Sequence, residues 1–150
     1  MNIYEVTVRY ERAGEKGLNT KVVEQYIIEA KSCAAAENGL LEMLKSQVTG
    51  GVCEVLSIKR SAVNEIIEDG IIGDKYYKTK VAFDFIDESA AKVKKLSKFY
   101  FIFAVSVEAA HKVLDTYLQK SIWDYEVLAL SETKFIDYVH ITEDGEAVVV

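Results

Sequence analysis

The chain is 150 residues long, half of them apolar, with a formal net charge of -6 and two cysteines. That length suits one substantial domain or two small ones sharing a core. The modest acidity argues against a generic polyanion binder, and two cysteines make neither a disulfide framework nor a paired Cys/His zinc spacing. The first residues show neither the basic nor the long apolar region of a signal peptide. No apolar run approaches the roughly 20 residues of a membrane span, so no membrane partner is expected and a reducing cytoplasm is the simplest setting.

Tyr4, Val6, Val8 and Tyr10 alternate with charged and polar residues, the period of a half-buried strand. Residues 12–20 read as a hairpin loop, and 22–29 as a returning strand with Tyr26 and Ile28 on one face. From Ala30 to Val48 the period changes: Ala36, Leu40, Leu44 and Val48 recur every fourth residue, giving a helix with one apolar stripe. Ser32 stands where an N-cap belongs, and Thr49-Gly50-Gly51 predicts the helix end, because glycine tolerates left-handed geometry. A third strand follows at 52–59. Residues 61–67 fit either a short helical turn or extended chain, and 68–74, with turn formers at both ends, read as a junction.

The pattern then restarts. Tyr77, Thr79, Val81 and Phe83 alternate, 87–91 is the loop, and 95–103 is the returning strand. Tyr100, Ile102, Ala104 and Ser106 match Tyr26, Ile28, Ala30 and Ser32. A second helix carries Ala110, Leu114, Leu118 and Ile122, and Glu126-Val127-Leu128 repeats Glu54-Val55-Leu56. The expected fold is α+β: tandem duplicated strand-strand-helix-strand units, mainly antiparallel sheet with one helix per repeat, related by an approximate two-fold. The first repeat is 1–67, the second 75–139, and 140–150 is a tail or edge strand. A right-handed crossover places each third strand parallel to the second, on the far side of the first. A three-stranded sheet with one helix buries little on its other face, so the two repeats are expected to form one compact unit.

Chemistry is thinner. Seven lysines (75, 78, 80, 92, 94, 95 and 98) crowd the second hairpin against Asp84, Asp87 and Glu88. Alternation sends Lys78, Lys80, Lys95, Phe99, Phe101 and Phe103 to the face opposite the helix. Rings interleaved with lysines suit single-stranded nucleic acid, with Lys78, Lys80, Lys95 and Lys98 on phosphates and Phe99 or Phe101 stacking on bases. The commoner role for such rings is packing, so Phe99, Phe101 and Phe103 are also candidates for a homo-oligomer interface. The valines of the tail, Val148, Val149 and Val150, are candidates for an edge strand pairing within or between subunits. The acidic cluster before them, with its apolar end, is like the tails of single-stranded DNA binding proteins. His111 and His140 lack partners at ligand spacing, and Cys33 has the apolar counterpart Val107. No nucleophile, base and orienting group assemble, and no cofactor or metal is expected.

Tyr76-Tyr77-Lys78-Thr79-Lys80-Val81 and Leu130-Ser131-Glu132-Thr133-Lys134-Phe135-Ile136-Asp137 resemble a family of unknown function found in bacteriophages and their gut-bacterial hosts. The likeness runs from the Tyr4 strand to Val139. It implies a phage or mobile-element setting and carries no catalytic residues. The expectation is a non-enzymatic binding or assembly protein that self-associates, with a single-stranded nucleic-acid binding protein of phage replication or recombination as the alternative.

Overall fold

The computed structural model describes residues 1–68 and 70–150; Asp69, within the expected 68–74 junction, lies outside them. In chain order the elements are β1 (Asn2–Ala13), β2 (Asn19–Ala30), α1 (Cys33–Leu44), β3 (Gly50–Arg60), β4 (Glu65–Ile67), β5 (Lys75–Asp87), β6 (Lys92–Ala104), α2 (Val107–Leu118), β7 (Tyr125–Glu132), β8 (Phe135–Ile141) and β9 (Ala147–Val149). The fold is α+β, with two mostly antiparallel sheets of order β3-β1-β2-β8-β9 and β4-β6-β5-β7. The chain divides into two compact units, residues 1–61 with 134–150, and residues 62–133.

In the first unit, β1 pairs antiparallel with both β2 and β3, so β3 runs parallel to β2 on the far side of β1, as expected of a crossover. The second unit repeats this pairing with β5, β6 and β7. Tyr4 faces Ile28 and Arg60; Tyr77 faces Ile102 and Glu132. Each third strand carries one extra residue at the same place, Leu56 opposite the Thr7/Val8 step and Leu128 opposite the Lys80/Val81 step.

The alternating residues read from the sequence supply both cores. Tyr4, Val6, Val8, Tyr26 and Ile28 pack with Ala36, Leu40 and Leu44 of α1; Tyr77, Val81, Tyr100 and Ile102 pack with Ala110, Leu114 and Leu118 of α2. Each helix is capped as expected, the Ser32 and Ser106 hydroxyls accepting from the Ala35 and Ala109 N–H groups at 3.1 Å.

Four details define the fold further. First, the ambiguous 61–67 stretch yields the short strand β4, which pairs parallel with β6, while β8 pairs parallel with β2. The strand after each third strand thus completes the other half's sheet, and the compact units do not coincide with 1–67 and 75–139. Second, β9 pairs with β8, so the tail is an edge strand of the first unit. Third, α1 stops at Leu44, before Thr49-Gly50-Gly51. The Gln47 and Val48 N–H groups close onto the Leu44 carbonyl, Thr49 donates to the Glu11 carbonyl, and Gly50 already belongs to β3. Fourth, α2 stops at Leu118, leaving Ile122 93% exposed rather than on the apolar stripe.

Two glycines mark close approaches. A Cβ on Gly39 of α1 would fall 2.4 Å from the Ile141 Cδ1, so β8 reaches the helix through this gap. A Cβ on Gly73 would fall 2.6 Å from the Ala104 backbone nitrogen, which cannot swing aside as a side chain can. Gly73→Ala is therefore expected to destabilise the chain by about 1–3 kcal/mol; an unchanged denaturant midpoint would contradict this packing.

Candidate binding cleft

A cleft of about 1140 Å³ lies wholly in the second unit. β4 supplies Ile66 and Ile67, with Glu68 and Ile71 following; the sheet supplies Phe83, Lys98 and Tyr100. α2 supplies Lys112, Val113, Thr116 and Tyr117, and the chain beyond it Lys120, Ser121, Ile122 and Trp123. Helical spacing explains the α2 wall, since Lys112 and Thr116, and Val113 and Tyr117, stand four residues apart. Most of this wall is apolar, with few polar groups converging on it, the usual character of a binding site.

Two phenols and one carboxylate meet beside the cleft. The Tyr117 hydroxyl donates to the Glu65 carboxylate of β4, and the Tyr117 and Tyr100 rings meet edge to face at 6.0 Å. The hydrogen bond to Glu65, then burial, push the Tyr117 phenol up to about 12; burial, then the Glu65 charge, raise Tyr100 as well. Both phenols stay protonated at neutral pH, and Tyr117 acts as a donor, not a base. Lys98 lies over the Phe83 ring at 5.8 Å.

The matching place in the first unit is filled instead. By register Val8 faces Glu24 where Val81 faces Lys98, and Tyr10 stands where Phe83 does. Glu24 accepts from the Tyr10 hydroxyl and from the Tyr26 hydroxyl at 3.1 Å, with Arg12 at 3.5 Å; the Gln47 side-chain amide lies 3.2 Å from the Tyr10 hydroxyl. Burial, then the hydrogen bond to Glu24, push Tyr10 up to about 12, and burial followed by the Glu24 charge raises Tyr26, Cys53 and Asp137. A smaller depression in the first unit, about 380 Å³, lies beside α1 at Leu41, Lys45, Val48 and Cys53.

The residues proposed for nucleic acid separate. Lys78 and Lys80 do share a face with the phenylalanines, their amines 5.7 and 5.8 Å from the Phe101 and Phe99 rings. Phe101 is fully buried, however, so its ring is closed to a stacking base; Phe99 and Phe103 are half-buried, and Phe103 lies 5.0 Å from the Tyr76 ring. Lys95 is exposed, but Lys98 points to the opposite face, into the cleft, as strand alternation requires. Lys75 and Lys94 pair with Glu132 and Asp87 at 3.2 and 2.7 Å, reducing the net charge of the patch. Val148, Val149 and Val150 are exposed along β9 and just beyond it.

Among the described residues no group of three His, Cys, Asp or Glu is placed to hold a metal, and no helix is long and apolar enough to cross a membrane. His111 and His140 sit 3.3 and 3.2 Å from Asp115 and Glu29. Cys33 is exposed at the start of α1, with no packing role. Sequence reasoning missed the cleft. Its available signals were the Glu24-to-Lys98 change between matched positions and the single tryptophan, Trp123, in the chain after α2.

The model of a domain of unknown function, DUF4494, matches residues 2–141. The chain belongs to the DUF4494 family. No curated protein matches it significantly. The DUF4494 match ends at the last residue of β8, leaving β9 outside.

Asp137 offers a test of the first unit's polar cluster. Its folded carboxyl holds its proton to higher pH than the unfolded one, so its contribution is complete below about pH 3.9 and is lost as pH rises through the folded value. Asp137→Asn should raise the melting temperature at pH 7, with the gain shrinking toward pH 3. An equal gain at both pH values would contradict the assignment.

Proposed function

We propose that the chain is a non-enzymatic binding module whose working site is the cleft of the second unit. One observation carries this reading: matched positions on two similarly paired scaffolds are closed by a tyrosine–glutamate network in one unit and left as a large apolar cleft in the other. Filling the first site with hydrogen bonds is what a structural position requires. An open, mostly apolar cleft exposes surface that folding alone would favour burying, which supports ligand capture. The Tyr117 phenol, protonated and held as a donor to Glu65, supports binding over catalysis.

The setting we infer is a bacteriophage or mobile element, acting in the host cytoplasm. It rests on the likeness carried by residues 76–81 and 130–137, and on two free thiols, one exposed, which suit a reducing compartment. Self-association is a second reading, supported by β9: a short edge strand whose residues Val148 and Val149 are 48% and 54% exposed. Single-stranded DNA binding is less well supported, because Lys98 points to the opposite face and Phe101 is buried.

Neutral phenylnaphthylamine tests the cleft, since Trp123 is the only tryptophan and lines it. The dye should quench Trp123, and Thr116→Phe, which narrows the cleft from an exposed helix position, should weaken binding by about fivefold or more, roughly 1 kcal/mol. Unaltered affinity would contradict the reading. For self-association, light scattering should give a dimer or larger species that Val149→Lys shifts toward monomer; a monomer at all concentrations would remove it.

A further inference from the structure

The cleft has a charge pattern that its apolar walls do not require. Lys98, Lys112 and Lys120 bring three ammonium groups to a chain of net charge -6. None of the three forms an ion pair among the described residues. The carboxylate at the same mouth, Glu68, accepts from the Tyr76 hydroxyl at 3.3 Å, and Glu65 is held by Tyr117. Lys98 also occupies the position at which the first unit places Glu24, so the matched site has changed sign.

Cations kept beside an apolar wall without internal counter-ions leave a favourable place for an anion, and water exclusion by the ligand's own body would strengthen the attraction. The volume, about 1140 Å³, exceeds the roughly 300–1,000 Å³ of a drug-sized pocket, which favours an extended ligand. We propose that the cleft takes a small organic acid with an extended apolar or aromatic body, the acid group meeting Lys98, Lys112 and Lys120 and the body lying along Ile67, Val113 and Trp123. This rests on the cleft being the working site, and deepens that reading.

The test compares anilinonaphthalene sulfonate with neutral phenylnaphthylamine, which has a similar ring body without the anion, on the full chain with Trp123 quenching as readout. The sulfonate should bind about tenfold more tightly or better. Lys98→Glu/Lys112→Glu/Lys120→Glu should weaken it by about tenfold or more while moving the neutral dye less than about twofold. Lys112→Gln/Lys120→Gln, confined to exposed helix and turn positions, should weaken the sulfonate by about threefold without disturbing the fold. Equal affinity for both dyes, unmoved by the lysine changes, would overturn the acid assignment while leaving the cleft reading intact. Failure of both dyes to quench Trp123 would overturn both. Displacement of the sulfonate by a single-stranded oligonucleotide or an acidic peptide, and not by excess dodecanoate, would assign the cleft to a macromolecule and overturn the proposal.

Discussion

The parallel pairing of β4 with β6 and of β8 with β2 is the constraint on which the rest of the structure depends. A helix-bearing hairpin leaves the outer edge of its second strand with unpaired backbone groups, which must find partners or water. Here the partner strand arrives from the other half of the chain. The departure points match: Ser61 donates to the Ile3 carbonyl at 2.8 Å, and Thr133 to the Tyr76 carbonyl at 3.0 Å, each fastening the end of a third strand before the chain leaves that sheet. Because β4 is also a wall of the cleft, the same pairing that completes the second sheet creates the candidate site.

Similar scaffolds then take different fillings. In the first unit Glu24 binds two phenols, Gln47 closes over Tyr10, and Ile141 reaches α1 through the gap left by Gly39. At the corresponding helix position the second unit has Val113, and at the position of Tyr10 it has Phe83. Phe83 has no hydroxyl to span the space toward the chain beyond the helix, and Lys98 turns its amine over that ring in place of a carboxylate network. Hydrogen-bonded closure in one unit and an open apolar wall in the other follow from a few side chains rather than from different backbones.

Strand faces, helix stripes and both serine caps were legible because each depends on local periodicity: Tyr26 and Ile28, or Leu114 and Leu118, point inward whatever lies further along the chain. The destinations of β4 and β8 were not, since a short run of extended residues carries no record of which edge it will join. The glycine pair at 50–51 misled because a helix can end through ordinary backbone turns, as α1 does at Leu44–Val48. The phenylalanine face was read with the right alternation for Lys78, Lys80 and Phe99. Lys98 has the charge a phosphate contact needs, but its even position aligns it with Tyr100, and Phe101's burial depends on tertiary packing that alternation cannot reveal. The cleft escaped because Lys98, Lys112, Lys120 and Trp123 lie on three separate segments.

The most direct measurement is the backbone amide spectrum of the labelled full chain with and without saturating anilinonaphthalene sulfonate. The account requires the largest shifts at Ile66–Glu68, Lys98–Tyr100 and Lys112–Trp123, with Tyr10, Glu24 and Gln47 unmoved. Shifts centred instead on β9, on Lys78 to Lys80, or on the first unit's tyrosine–glutamate cluster would contradict it.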